Sequence, residues 1–319
     1  MTWPSADCGV GGGGAPEPPP VAGASWWARF REERRSQFHE LQRSLYAVLR
    51  NPLSVVGMAI VGLFLLVAAV GPSLVPYPED AAGATHLAKK LTAPNAAHWF
   101  GTDEVGRDIF TMVVIGTRLT LRISLIVVGV AMLIGVPLGI LAGFVGGWIG
   151  ETVMRVTDVF LAVPGLILAI AIVASLGPGI TNAMIALSLV WWPGYVRLVQ
   201  GKTLSIKTEP FIEAARCVGS HRWRIAFGEI LPNLASPILV KASMDMGLAI
   251  LAAASLGFIG IGAQPPTPEW GAMISTGRNY LPDRWWYATF PGGAIFLTVL
   301  GWNLLGDGLR DVLDPRSRL

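Results

Sequence analysis

The chain has 319 residues, 52% of them hydrophobic and only 14% charged, with a net charge of +3. A soluble domain carries about a quarter charged residues, so this chain has too few charges to cover a water-soluble fold of its length. The mean hydropathy of +0.54 points the same way, and so small a net charge gives no basic face for a nucleic-acid partner.

The first 50 residues differ from the rest. Gly9 to Gly23 is rich in Gly and Pro and is expected to be disordered. Trp26 to Arg50 mixes Arg and Glu with Trp26, Trp27, Phe30, Leu41 and Leu45. It reads either as an amphipathic helix lying on a membrane or as a solvated helix. The two cysteines, Cys8 and Cys217, stand far apart and have neither metal-ligand nor redox spacing.

A helix needs about 20 mostly apolar residues to cross a bilayer. Six stretches meet that need: Leu53 to Val75, Leu119 to Val145, Val156 to Leu176, Ile180 to Val199, Leu234 to Ile261 and Ala288 to Leu305. The expected fold is therefore an all-α integral membrane protein with six transmembrane helices. Residues 1–50 form a tail, 51–77 the first transmembrane helix, 78–118 an external segment, 119–310 a core transmembrane domain and 311–319 a second tail. Asn51 caps the first span and Pro52 suits its first turn. Lys and Arg are about twice as frequent on one set of loops as on the other, which places both termini in the cytoplasm. Arg118 and Arg122 run against that bias.

Gly135, Gly139, Gly143 and Gly147 repeat every four residues, a stripe that lets helix backbones approach closely in lipid; a pore-lining face is the alternative reading. Pro137, Pro164 and Pro193 are expected to kink their helices.

No catalytic constellation is present. The four histidines do not pair at helical metal spacing. Gly201-Lys202-Thr203 resembles the end of a phosphate-binding loop, but Val196 stands where its first glycine belongs, and an apolar helix precedes it. Glu151, Arg155 and Asp158 are spaced to pair along one helix face, as are Lys241 and Asp245. Asp158, Lys241 and Asp245 are candidate residues of a translocation path; self-satisfied pairs within helix packing are the alternative.

The loop over residues 201–233 is far longer than a turn. Thr208 is positioned to cap a helix, Glu209-Pro210 suits its first turn, and Phe211 to Val218 has a helical pattern. Gly219 ends it with an expected positive φ. A second amphipathic helix is expected from Ser220 to Glu229, and Pro232 opens the next span. Ala214 and Ala215 keep one face small, while Glu213 and Arg216 offer charged contacts at its rim. The loop reads as a docking element or as a solvated connector.

Glu213-Ala214-Ala215, then Gly219, then Leu231-Pro232 resembles the EAA coupling loop of ABC importer permeases. The approach Trp192, Tyr195, Arg197, Leu198, Val199 and Gly201 is similar to that of the peptide and nickel permease family. So are Gly101-Thr102-Asp103 with Gly106-Arg107-Asp108, Phe258 to Gly262 leading to Pro266, Trp270 and Gly271, and Asn303 to Asp311 with Asp314-Pro315-Arg316. The resemblance covers about Leu45 to Arg318 and is strongest to the second permease subunits of dipeptide and oligopeptide importers.

It implies a second homologous permease, two cytoplasmic ABC ATPases that hold ATP and Mg, an external substrate-binding protein and no cofactor or catalytic residue in this chain. By position it assigns the ATPase contact to Phe211, Glu213, Ala214, Ala215, Arg216, Gly219, Leu231 and Pro232. Peptides are the implied cargo; nickel, glutathione, an opine or a sugar is the alternative within the family, and an autonomous secondary transporter the alternative outside it. Ala253 and Gly257 stand where the family often has Glu and Ser, Met112 and Ile115 where it has Arg and Tyr, and Gly228-Glu229 where it has a basic pair. Substrate contacts are therefore not carried over.

Overall fold

The computed structural model of this chain describes residues 51–313. The tail and surface helix expected over residues 1–50, and the chain from residue 314 onward, lie outside that range. The described residues are helical, with no strand beyond one isolated antiparallel bridge between Thr102 and Asp108.

The first helix, α1, spans Pro52–Leu74. The Asn51 side chain accepts the N–H of Leu53 at 3.0 Å, and Pro52 occupies the first turn, where no intrahelical N–H is needed. The next long helix, α2, spans Ile109–Val145, 37 residues or about 55 Å. It begins well before Leu119, the expected start, because Asp108 caps it through the Thr111 N–H at 2.8 Å. Arg118, expected at the end of the external segment, donates instead to the Ala68 and Ala69 carbonyls of α1 at 2.9 and 3.2 Å.

Two shorter helices follow, α3 over Gly147–Ala162 and α4 over Gly165–Leu176, with an 87° bend between them. Val163 is extended, as a residue before proline prefers, so Pro164 breaks the expected single span rather than kinking it. Helix α5 covers Ile180–Ile206 and contains Pro193. A short helix, α6, covers Pro210–Cys217. Helix α7 spans Leu231–Ile259 and continues back to Arg222 through a π-helical turn, Ile225–Ile230. A short α8, Trp270–Gly277, precedes the last helix, α9, Trp286–Leu313.

Four of these are long and apolar enough to cross a membrane: α1, α2, α7 with its extension, and α9. The bent pair α3–α4 makes five if counted as one span. Helix α5 falls outside that set, since Asn182, Arg197, Gln200 and Lys202 dilute its apolar residues.

The glycine stripe joins α2 to α5. A Cβ on Gly135 would meet the Trp192 carbonyl at 2.6 Å, one on Gly139 the Val196 carbonyl at 2.8 Å, and one on Gly143 the Gln200 carbonyl at 2.9 Å. Only glycine permits that approach. Gly147 does not belong to the stripe: it turns the chain at the start of α3 with φ +57°.

Around this pair lies the central core, including Val127, Ala131, Leu187, Tyr195, Val196 and Leu256. Two smaller clusters close the ends. One gathers Ile109, Met112, Trp270 and Trp286. The other gathers Ile140, Phe144, Val199, Ile212, Ile225 and Ile230, beneath α6. Asn51 bonds Asp311 at 3.2 Å, so α1 starts beside the last turns of α9.

Candidate functional site

A short stalk, Lys207 to Glu209, joins α5 to α6, which packs on the end of the bundle. Thr208 does not cap it: its hydroxyl donates to the Ser205 carbonyl at 2.8 Å, and Glu209 takes the N-cap position without a side-chain bond. Ile212 is the inward residue, fully buried between α2, α5 and the π turn, with Ala215 and Leu231 packed on the same cluster. Phe211, Glu213, Ala214 and Cys217 face outward, and Val218 is 85% exposed.

Gly219 closes the helix at φ +81°. Its N–H donates to the Arg216 carbonyl at 2.9 Å, and the Ser220 N–H reaches the Ala215 carbonyl at 3.0 Å. A Cβ on Gly219 would meet nothing, so the demand for glycine is conformational, not steric. Arg216 reaches the Lys207 carbonyl at 3.4 Å, and the Lys207 ammonium donates to the Gly143 carbonyl near the end of α2 at 3.1 Å. That last contact places a cation where the α2 dipole is negative.

Beyond Gly219 the expected separate helix is absent as such. His221 accepts the Trp223 N–H through Nδ1 at 3.4 Å, and the chain then runs without a break into α7. The break expected before Pro232 becomes a π turn, in which the Leu231 N–H reaches the Ala226 carbonyl. Pro232 has no N–H to continue the ordinary ladder, and the wider turn absorbs that loss. Trp223 and Phe227 remain exposed and stack with ring centroids 5.9 Å apart.

The charges within the helices form separate pairs. Lys241 and Asp245 meet at 3.1 Å, with the Lys241 ammonium also 5.1 Å from the centre of the buried Tyr195 ring. Glu151 pairs with Arg155 at 3.2 Å, but Asp158 turns away from both and pairs with Arg197 of α5. Tyr195 and Arg197 are two residues apart, about 200° around α5. Asp158 is therefore not joined to Lys241 and Asp245 in one cluster.

At the opposite end from α6, buried acids organise the segment between α1 and α2. Asp80 accepts the Asp108 N–H at 2.7 Å and pairs with His86 at 3.1 Å; Asp108 pairs with His98 at 3.0 Å. Burial pushes the Asp80 carboxyl above the usual range, opposed by the Asp108 amide and by His86. Glu79, Asp80 and His86 have ligand atoms within 4.8 Å of one another, but both Asp80 oxygens are already engaged. Asp103 binds Arg107 at 2.6 Å, and Glu104 accepts the Tyr287 hydroxyl. Glu269 caps α8, accepting the Gly271 and Ala272 N–H groups at 2.8 and 2.7 Å. Its pKa is pushed up to about 6 by burial, against those two amides.

The model of the binding-protein-dependent transport system inner membrane component covers residues 135–319, and that of the N-terminal TM domain of oligopeptide transport permease C covers 41–94. The chain belongs to the binding-protein-dependent permease family. The dipeptide transport system permease protein of Alkalihalophilus pseudofirmus is 46% identical, over 84% of this chain and 88% of its own. The glutathione transport system permease protein of Pectobacterium atrosepticum is 45% identical, over 85% of this chain and 89% of its own. Inward-facing structures of the MetNI methionine ABC transporter give a TM-score of 0.54 at 20% identity, over 65% of this chain and 98% of the matched chain, which shows the shared fold alone. The permease is thus a multi-pass inner-membrane subunit of an ABC importer.

Of the residues marked for docking in this permease, Phe211, Glu213, Ala214 and Gly219 are exposed on α6 and at its end, and Arg216 is partly buried. Ala215 and Leu231 pack beneath α6, and Pro232 lies on an apolar groove with Phe227 and Leu133. Ile212 and Lys207 escaped the reading of the sequence. Ile212 and Ala215 are spaced to share one face of the helix, but Phe211 beside Ile212 is equally apolar, and nothing in the sequence pairs Lys207 with Gly143.

Proposed function

We propose that this permease imports peptides, pairing with a second homologous permease and with two ABC ATPases that bind ATP and Mg, and receiving cargo from an external binding protein. The observation that carries the reading is α6, short and exposed between two long helices, ended by a glycine held at φ +81°. Such a helix offers an adjacent protein a rigid outer face of Phe211, Glu213 and Ala214, with Arg216 at its rim. Six crossings result when the bent α3–α4 pair and α5 are both counted. With α6 in the cytoplasm, Asn51 and Asp311 lie on that same side, in keeping with the distribution of Lys and Arg. Asp158, Lys241 and Asp245 belong to the translocation path in this reading, as two ion pairs on opposite sides of α5.

Peptide cargo is supported by the dipeptide relative; the glutathione relative, nearly as similar, favours a second reading in which the cargo is glutathione. Purification in mild detergent should recover a second permease and two ATPases, and proteoliposomes of that complex with its binding protein should take up peptide. Recovery of this chain alone would sink the reading. Gly219→Val should leave the complex assembled while stimulated ATPase falls at least tenfold, since a β-branched residue resists positive φ. Full stimulation in that variant would mean that α6 is not the contact.

A further inference from the structure

A cleft of about 750 Å³ opens between α5, α7 and the end of α9, on the α6 side of the bundle. Its charged lining is Lys202, Lys241, Asp245 and Arg310, with Ser205 and Asn233 at the same wall. Asp245 is buried and neutralises Lys241. Lys202 and Arg310 are exposed and have no ion-pair partner among the described residues. Among the described residues, the cleft thus holds two cations outside any ion pair.

Its position gives that charge a meaning. Lys241 lies ten residues into α7 from Leu231, about 15 Å along the helix, a depth at which a charged side chain is costly against lipid. The groove on α2 and α7 at Leu133, Phe227 and Leu239 and the pocket between α1 and α2 are apolar by contrast and suit a lipid surface. Polar groups at such depth belong to an aqueous path or to a protein contact. Lys202 and Arg310, nearer the ends of α5 and α9, are exposed, which suits an aqueous path.

We propose that this cleft is an anion-selective station on the cytoplasmic half of the path, taking a carboxylate of the cargo between Lys202 and Arg310, with Lys241 at its deeper end. The proposal rests on the peptide-importer reading. Lys241 is positioned by Asp245 and by the face of the Tyr195 ring. The two outer cations sit on different helices, α5 and α9. A carboxylate between them is held in water-filled surroundings, strongly enough to favour passage and weakly enough to leave. The residue Lys202, which a nucleotide-binding motif fails to explain, finds a use here.

The test is competition uptake in proteoliposomes of the complete importer, between two tripeptides that differ by one Asp or Lys side chain. Both are loaded to saturation on the binding protein, and uptake is counted per ATP hydrolysed. The double variant Lys202→Glu with Arg310→Glu should lower the ratio of Asp-peptide to Lys-peptide uptake roughly fivefold, as expected for partly exposed charge pairs. The milder Lys202→Gln with Arg310→Gln should shift it the same way by less, and serves if the first fails to assemble. An unchanged ratio in the variants overturns the proposal. So does a ratio that changes only when phosphatidylglycerol is added to phosphatidylcholine vesicles, since a lipid phosphate is then the occupant. Absence of uptake of either peptide by the unaltered complex would instead overturn the peptide-importer reading itself.

Discussion

Glu269 shows what a single buried group contributes. Its carboxylate is packed so closely on Gly257 that a side chain there would collide with it, and it holds the first amides of α8. Its folded pKa of about 6 lies above the ordinary value of 4.5. The folded chain therefore binds this proton more tightly than the unfolded chain. Stability from the group is fully present below about 4.5 and is lost as pH rises through about 6, a change on the order of 2 kcal/mol. Hydrogen exchange of the α8 amides, corrected for intrinsic rate, should show protection falling across that window. Glu269→Gln keeps an oxygen for one amide and should flatten the dependence; an equally steep profile in that variant would remove Glu269 as its source. Neither this group nor Asp80 was legible in the sequence: glutamate is not among the preferred N-cap residues, so its local bonds to Gly271 and Ala272 went unread, and Asp80 acts on the distant Asp108 amide, reached only through the fold. Gly219 was legible, because a glycine after a helical pattern states its own backbone need.

Helices were legible where periodicity and caps agreed, and misplaced where polar residues found partners inside the bundle. The Asn51 cap set the start of α1, whereas the start of α2 was missed because Asp108 reads as loop and Arg118 as a boundary. Pro164 announced a disturbance, but its 87° extent depends on how α3 and α4 pack. The spacing of the glycine stripe gave the contact face of α2 without giving its partner, α5. Gly139→Leu places side-chain atoms where the Val196 carbonyl and Val199 already sit, 2.8 and 2.7 Å from the first added carbon. The helices must separate, at a cost of about 1–3 kcal/mol or more. Gly129→Leu on the same helix meets nothing within 4 Å and serves as the control. Thermal unfolding in detergent should drop by several degrees for the first and little for the second; equal drops would mean that the stripe does not set the α2–α5 distance.

At the scale of the whole permease, α6 is tied to three long helices through one cluster. Ile212 joins one buried cluster with Ile140 and Phe144 of α2, Val199 of α5, and Leu234 and Ile238 of α7. Lys207 adds a polar strut from the stalk to Gly143 of α2, and the π turn makes the junction with α7 the place where helical geometry is already relaxed. A push on the outer face of α6 would reach α2, α5 and α7 through this cluster, and the close α2–α5 approach ties those two helices together. If this cluster carries the motion, loosening it should separate ATP hydrolysis from transport. Ile212→Ala opens a cavity worth about 2–5 kcal/mol in a packed core, and should lower peptide uptake per ATP several-fold while the complex still forms. Lys207→Met should do the same to a smaller degree, and Lys207→Arg should restore most of the ratio, because a guanidinium also donates to the carbonyl at the end of α2. Loss of stability alone predicts otherwise: fewer complexes, each transporting the normal amount per ATP. Measuring assembled complex, ATPase and uptake on the same vesicles tells the two apart, and a normal ratio in Ile212→Ala would relieve the cluster of any part in coupling.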